Sequence, residues 1–394
     1  MDWFLPNGKP FEEWEESELQ YFIDQKIPEG KELDYKRELN FGNDSDKKEL
    51  ISDIVSFANT NGGYLIFGIE EGEDKSPSTL CGLDLLDTPD GTIARINNSI
   101  RDAVEPRISN INIRAIPLSS GKHALVIKIP NSFFSPHRSK DRHFYARNST
   151  GKYPLDVAEL RNSFLQSETL RTASQNFRLN RISQIVNGDT PILLKGKSLA
   201  IIHVIPLPAL KSNFSIDIFK WVPAFGQGTL PGFKEHPLFP RFTFDGIYGD
   251  SNDYSYTQLF HSGILEATSY RYFTRDDNGI PSYMMELEII TFVKNALNFL
   301  TEKLRLTEPL IISISFVGIK NKHLLRPLDY DWGLTTSQTK DNILLPEVLY
   351  EDVQQTIDFN TTAQLIYPAL TRWWNAFDFP RSPYFDKDKN WVAK

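Results

Sequence analysis

The 394-residue sequence contains a single cysteine, Cys81. One thiol excludes an intramolecular disulfide framework and any zinc site built from several cysteines, and it is typical of a protein from a reducing compartment. The seven histidines never occur at the spacing of a zinc-binding helix, roughly three to five residues. Disulfide-rich secreted proteins and zinc-finger proteins are therefore excluded.

Long apolar segments are also missing. The longest runs, residues 199–205 and 310–319, have the length of strands, whereas a membrane-spanning helix needs about 20 apolar residues. Residues 1–10 lack the basic start and the apolar middle of a signal peptide. Together with the single cysteine, these absences predict a cytoplasmic protein that neither spans nor binds to a membrane.

A complete phosphate-binding loop is absent as well. The segment Gly196-Lys197-Ser198 supplies the end of the Gly-x-x-x-x-Gly-Lys-Ser/Thr pattern, but Pro191 occupies the position of the first glycine. That glycine lets the backbone amides wrap around the phosphates. The sequence therefore excludes ATP hydrolysis by a P-loop.

The chain carries 43 Lys and Arg against 51 Asp and Glu, a net charge of -8, so any polyanion must bind to a local patch. Its length suits two domains. Alternating helical and strand patterns predict an α+β domain at residues 1–168, a helical connector at 169–189 and a second α+β domain at 190–394.

Hydrophobic periodicity predicts the main elements of both domains. In the first domain it predicts a strand from Leu33, a helix capped by Ser45 or Asp46, a turn at residues 59–63 with positive φ at Asn and Gly, and a buried strand at 64–69. Further predicted elements are helices at 90–104, 155–164, 282–304 and 362–376, and strands at 111–116, 124–129, 144–147, 199–206, 241–248, 256–274 and 310–317.

Three carboxylates surround the first predicted strand and the turn: Glu29, Asp34 and Glu71, with Glu70 as the adjacent alternative to Glu71. Convergent carboxylates are the usual ligands of hard divalent cations near phosphates. Strand alternation places Asp34 on the same face as Lys36. A competing interpretation is that these acids pair with neighbouring basic residues on a solvated face.

A basic strip follows at residues 136–152. It contains Arg138, Lys140, Arg142 and Arg147, with Tyr145 among them. Basic side chains that contact phosphates, beside aromatic rings that stack on bases, are typical of proteins that bind single-stranded or irregular nucleic acid. The alternative is a solvated loop whose aromatic residues belong to the core.

The order of these motifs resembles the Schlafen AlbA-like domain over roughly residues 15–165. The resemblance rests on Glu29-x-x-x-Leu33-Asp34-Tyr35-Lys36, on the segment from Phe57 through Asn59-Thr60-Asn61-Gly62-Gly63 to Gly68, on Gly82, on Ile129-Pro130, on Pro136-His137 and on Tyr145-x-Arg147.

Schlafen nucleases are divalent-metal-dependent endonucleases that act on transfer and ribosomal RNA, and some act on single-stranded DNA. The resemblance therefore implies that Glu29, Asp34 and Glu71 hold Mg²⁺ or Mn²⁺ and that Lys36 stabilises charge on the phosphate. The family pattern has Glu at the position of Asp34 and Asp at the position of Glu71, so each exchange moves a carboxylate by about one methylene while keeping its charge.

The sequence thus predicts a metal-dependent endonuclease that acts on structured RNA such as transfer RNA, or on single-stranded DNA. For a bacterial source, the resemblance adds a role in anti-phage defence. The alternative is a nucleic-acid-binding regulator without catalytic activity. A second copy of the Schlafen motif block is missing after residue 170, so a two-lobed groove would need a homodimer or the C-terminal domain.

Overall fold

The computed structural model describes residues 6–72, 76–85, 87–210, 214–218, 229–233, 238–251, 254–306, 309–325, 336–351, 353 and 357–392. The chain divides into two compact units, Met1–Thr169 and Leu170–Lys394. Each unit contains both helices and strands, which confirms the predicted α+β class. Within the residues given above, no helix combines the length and the apolar character needed to cross a membrane.

In its described residues, the first unit contains a four-stranded sheet, several short strand pairs and the helices that surround them. Its elements are α1 (Glu16–Asp24), β1 (Leu33–Lys36), α2 (Asp44–Ala58), β2 (Gly63–Phe67), β3 (Ile69–Glu71), β4 (Pro77–Leu80), α3 (Pro89–Ala103), β5 (Val104–Glu105), β6 (Asn112–Pro117), β7 (His123–Ile129), β8 (Arg138–Ser139), β9 (Tyr145–Asn148) and β10 (Gly151–Pro154). The helix α4 (Val157–Val186) follows.

The four-stranded sheet has the strand order β1-β2-β7-β6. Strands β1 and β2 run parallel, with Asp34 beside Leu65, and the other pairs are antiparallel. Side chains alternate between two cores: Tyr64 and Ile66 of β2 pack with the N-terminal segment on one face, while Leu65 and Phe67 pack with α2 and α3 on the other. Both faces of the sheet are therefore covered.

Helix α2 begins earlier than the sequence pattern predicted. The Oδ1 atom of Asn43 accepts a hydrogen bond of 2.9 Å from the backbone N–H of Asp46, so Asn43 is the N-cap and the prediction of Ser45 or Asp46 is wrong. Asn is as good a cap as Ser or Asp. The alternatives lay two or three residues too late because residues 44–46 also carry side chains typical of a cap.

The turn between α2 and β2 needs glycine because other backbone segments lie against it. A Cβ atom on Gly62 would lie 2.4 Å from the backbone nitrogen of Asn131, and one on Gly63 would lie 2.2 Å from the carbonyl oxygen of Glu32. Both glycines have positive φ, 71° and 144°. Asn59, in contrast, has φ of -82°, so the prediction that asparagine supplies positive φ is wrong for this residue.

Gly63→Ala is expected to destabilise the first unit by more than about 1 kcal/mol, because the new methyl group meets backbone atoms in a conformation that alanine rarely adopts. Gly42→Ala is the matched control, since a Cβ atom there would have no neighbour within 4 Å. Urea denaturation, followed by amide hydrogen exchange of β2 peptides, measures both changes. Equal midpoints for the two variants would contradict this account of the turn.

The second unit is built around an antiparallel sheet. Its elements are β11 (Leu199–Pro206), β12 (Arg241–Thr243), β13 (Gly246–Ser251), β14 (Ser255–Phe260), β15 (Leu265–Ser269), β16 (Gly279–Pro281), α5 (Ser282–Asn298), β17 (Leu310–Val317), β18 (His323–Leu325), β19 (Ile343–Leu344), β20 (Val348–Tyr350) and α6 (Phe359–Asn375). The sheet order is β12-β13-β14-β15-β11-β17-β19, with β20 also paired to β17.

Several predicted elements differ from the structure. The predicted strand at 241–248 is a hairpin formed by β12 and β13, and the predicted strand at 64–69 is divided at Gly68 into β2 and β3. The predicted strand at 256–274 is divided into β14 and β15 by a turn in which Gly263 has φ of 81°. The predicted helix at 155–164 and the predicted connector form one continuous helix, α4. Neither glycine nor proline occurs within α4, so no residue that disfavours a helix interrupts it.

Candidate functional site

Asp34 lies on the face of the sheet that packs against α2, and its side chain is held by two cations. Nη2 of Arg147 donates to Oδ2 of Asp34 over 2.8 Å, and Nζ of Lys36 lies 3.1 Å from Oδ1. The guanidinium of Arg147 also lies over the ring of Phe57, 4.0 Å from its centroid. Asp34 and Arg147 are only 4% and 5% exposed, so this is a buried ion pair.

Glu29 lies beside Asp34, and the two carboxyls affect each other's ionisation. Oε1 of Glu29 accepts the backbone N–H of Tyr35 over 2.7 Å. Burial, the hydrogen bond with Asp34 and the negative charge of Asp34 raise the pKa of Glu29 to about 7. Burial opposes the ionisation of Asp34, but the hydrogen bond with Glu29 and the charges of Lys36 and Arg147 lower its pKa. The two carboxyls therefore hold one proton between them up to near neutral pH.

Glu71 and Glu70 end strand β3, and their surroundings differ. Oε1 of Glu70 accepts a 2.6 Å hydrogen bond from Nη1 of Arg37. Glu71 is exposed, and its charge contributes to the raised pKa of Glu29. Of the two acids that the sequence left open, Glu71 is the one whose charge acts on the Glu29 carboxyl.

A divalent cation needs several oxygen ligands that converge on one point. Over the described ranges, no group of three or more His, Cys, Asp or Glu side chains has an arrangement that could hold a metal ion. Mg²⁺ is, however, usually bound through one or two carboxylates, with water and substrate phosphate completing its shell. Glu29 and Asp34 are two adjacent carboxyls, so they offer that kind of donor set once the proton between them is released.

A second buried acid, Asp53 on α2, was missed by the sequence analysis. Its Oδ1 lies 2.8 Å from Nζ of Lys152, and its charge contributes to the raised pKa of Lys36, although burial of that lysine acts in the opposite direction. Asp53 lies between Leu50 and Phe57 on the buried side of α2. A charged residue at a core-facing helical position is the signal that could have revealed it.

The Asn59-Thr60-Asn61 segment connects this site to distant parts of the chain. Nδ2 of Asn59 donates to the carbonyl oxygens of His137 and Tyr145, each over 2.9 Å, and its Oδ1 accepts from the backbone N–H of His137. Oγ1 of Thr60 accepts the backbone N–H of Arg147 over 2.9 Å. These bonds fix the strand that delivers Arg147 to Asp34.

The residues of the basic strip have two different environments. Arg138, Lys140 and Arg142 are exposed, and Arg138 makes a surface ion pair of 2.8 Å with Glu105. Tyr145 is partly buried, and its hydroxyl donates to Oδ2 of Asp141 over 2.8 Å. Arg147 is buried against Asp34. Only the first three therefore present charge to solvent, whereas Arg147 supports the carboxylate site.

Residues 29–156 match the family model described as Schlafen, AlbA_2, which confirms the resemblance seen in the sequence and indicates a nucleic-acid-related function. No curated protein matches the chain.

Two solved structures are similar to parts of the chain. The DIP2311 protein from Corynebacterium diphtheriae has 20% identity and a TM-score of 0.24, covering 33% of this chain and 23% of its own. The N-terminal domain of a Nitrosomonas europaea protein, described as related to the ATP-dependent DNA helicase RecG, has 20% identity and a TM-score of 0.24, covering 30% of this chain and 78% of its own. Such low scores support no inference about fold or function.

Proposed function

Because residues 29–156 match the Schlafen AlbA_2 domain family, we propose that the chain is a divalent-metal-dependent endonuclease for structured RNA, such as transfer RNA, or for single-stranded DNA. The observation that carries this proposal is the pair of adjacent carboxyls of Glu29 and Asp34, which retains a proton up to near neutral pH. Carboxyl groups with separated pKa values are typical of sites that carry out acid and base chemistry.

Each side chain of the site has a role that follows from its contacts. Glu29 and Asp34 would hold Mg²⁺ or Mn²⁺, and Glu71 would add negative charge beside them. When bound, the ion would polarise the phosphodiester and lower the pKa of a coordinated water. The carboxyls of Glu29 and Asp34 would have to release the proton that they share in order to hold the ion.

The cationic side chains complete the site. Lys36, at 3.1 Å from Asp34, can stabilise negative charge that develops on the phosphate. Arg147 orients Asp34 through its 2.8 Å hydrogen bond. The exposed Arg138, Lys140 and Arg142 would contact the phosphates of the strand, and such contacts make binding dependent on salt.

A second candidate is a nucleic-acid-binding regulator without catalysis. The observation in its favour is that Asp34 already has two cationic partners, Arg147 and Lys36. A buried carboxylate that is neutralised in this way can serve the fold alone. Binding of nucleic acid without cleavage would then be the whole activity of the first unit.

Cleavage assays with labelled transfer RNA and single-stranded DNA separate the two candidates. The wild-type protein is expected to cleave one of them with Mg²⁺ or Mn²⁺ and not with EDTA. Glu29→Gln, which keeps the shape of the side chain and removes its charge, is expected to lower the cleavage rate about 100-fold while binding persists.

Glu12→Gln is the matched control. Glu12 is an exposed carboxylate of the first unit, and its replacement is expected to leave cleavage unchanged. Cleavage that survives in EDTA, or in Glu29→Gln, would overturn the metal-dependent mechanism. Binding without cleavage under either metal would favour the regulator.

A further inference from the structure

The first unit contains a cavity of about 490 Å³, which lies within the range of small-molecule sites, roughly 300–1,000 Å³. Its walls come from residues 37–42 after β1, residues 81–85 after β4, the first turns of α3, and Lys122. Glu29, Asp34 and Glu71 are not among the lining residues. The cavity is therefore distinct from the carboxylate cluster.

Three cationic side chains line the cavity: Arg37, Arg95 and Lys122. Arg37 pairs with Glu70 at 2.6 Å and Lys122 pairs with Asp84 at 2.9 Å, and the side chains of both pairs are well exposed. Exposed ion pairs contribute little to stability because water screens their charges. An anionic group that enters the cavity can therefore compete for these cations.

Other lining residues are apolar, and they include an aromatic ring. Phe41 lies there with Leu39, Leu83 and Ile96, and the guanidinium of Arg95 lies 5.7 Å from the centroid of the Phe41 ring. Aromatic rings and guanidinium planes are the surfaces on which proteins stack unpaired nucleobases. The cavity thus combines a surface for a flat base with cations for a phosphate.

We propose that this cavity binds one nucleotide, with its base against Phe41 and its phosphate on Arg37, Arg95 and Lys122. The nucleotide can be a free nucleoside 5′-monophosphate or one residue of a bound strand. Arg37 follows Asp34 by three positions, about 10 Å along an extended chain. In the second case, which rests on the proposed function, the cavity would hold a nucleotide near the cleaved phosphate.

Cys81 provides a direct test, because it lines the cavity and is the single cysteine of the sequence. Its side chain is partly exposed. The rate at which a thiol reagent such as dithionitrobenzoate modifies the full-length protein therefore reports on the cavity alone. Saturating adenosine or uridine 5′-monophosphate, or a short single-stranded oligonucleotide, is expected to slow the reaction at least about fivefold.

Two variants test whether the protection comes from the proposed contacts. Arg95→Gln is expected to lower the affinity for the protecting ligand about tenfold, because it removes a charged partner of the phosphate. Phe41→Leu keeps an apolar side chain but removes the ring, and it is expected to lower the affinity by a similar factor through loss of stacking. Arg101→Ala is the control, because Arg101 lies on the same helix, is exposed and is outside the cavity lining.

The outcomes distinguish the sources of the nucleotide. Protection by mononucleotides supports a site for free nucleotides, and protection by the oligonucleotide alone supports a site for the bound strand. No protection by any of them, or protection that is unchanged in Arg95→Gln and Phe41→Leu, would overturn the proposal. If Cys81 is protected but no strand is cleaved with either metal, the proposed nuclease fails and the nucleotide site stands.

Discussion

Asp34→Ala is expected to lower metal-dependent cleavage at least about 100-fold and to destabilise the first unit by about 3–5 kcal/mol. The loss of activity follows from the removal of a carboxyl that, in our proposal, holds the cation. The loss of stability follows because Arg147, which is 5% exposed, would lose the partner that lies 2.8 Å away. Cleavage rate and urea denaturation measure the two effects separately.

The double variant Asp34→Ala, Arg147→Met distinguishes a catalytic role from a purely structural one. Removing both charges avoids an unpaired buried cation, so most of the stability is expected to return, whereas cleavage is expected to stay at the level of Asp34→Ala. Arg138→Ala is the stability control for loss of an ion pair. Arg138 forms an exposed pair with Glu105, and such a pair contributes at most about 1 kcal/mol to the free energy of unfolding. Recovery of cleavage in the double variant would show that Asp34 serves only the fold.

Glu266→Ala is expected to destabilise the second unit by about 3–5 kcal/mol, because it removes the anion of a fully buried network. Nε and Nη2 of Arg181 each donate to the Glu266 carboxylate over 2.8 Å. The Tyr256 hydroxyl donates over 2.8 Å, and Nε2 of His203 lies 3.0 Å from Oε2. Without Glu266, the guanidinium of Arg181 would be left without this counter-charge.

The same network predicts a dependence on pH. Burial opposes the ionisation of Glu266, but the hydrogen bonds from Arg181 and His203 lower its pKa from 4.5 to about 2. The folded state therefore binds fewer protons than the unfolded state, so the stabilising contribution is present above about pH 4.5 and is lost as the pH falls towards 2. Glu266→Gln is expected to reduce this loss of stability at acid pH, because glutamine does not ionise.

Chemical denaturation of wild type, Glu266→Ala and Glu266→Gln at several pH values checks both effects. Asp250→Ala is the control on the same sheet, because Asp250 lies 3.4 Å from a well-exposed Arg241, and its loss is expected to cost at most about 1 kcal/mol. Two results would contradict the importance of the buried network. One is an Asp250→Ala variant that is as unstable as Glu266→Ala, and the other is a Glu266→Gln variant that loses as much stability at acid pH as the wild type.

Strand β1 illustrates what local sequence patterns predict well. Alternation placed Leu33 and Tyr35 on one face, and both belong to the core on the side of the N-terminal segment. It placed Asp34 with Lys36 on the other, where the two side chains make contact. This prediction holds because the two-residue period of an extended chain is a local property that does not depend on the rest of the fold.

The asparagines of the signature show the limit of that reasoning. The sequence pattern explained Asn59 as a turn residue, whereas its side chain binds the backbone of His137 and Tyr145, 78 and 86 residues away. No local period encodes such a partner. The physical reason for Gly62 and Gly63 is also tertiary, because the backbone atoms that exclude a Cβ belong to Asn131 and Glu32.

Sequence alone thus determined the α+β class and the resemblance to the Schlafen AlbA-like domain, and it led to the proposal that Glu29, Asp34 and Glu71 form a metal site. The tertiary structure decided which charges meet: Arg147 pairs with Asp34 across 113 residues, and Arg181 pairs with Glu266 across 85. Chain periodicity fixes the face on which a side chain lies, but its partner depends on which segments pack against that face. The protonation of Glu29 and the burial of Arg147 are consequences of that packing.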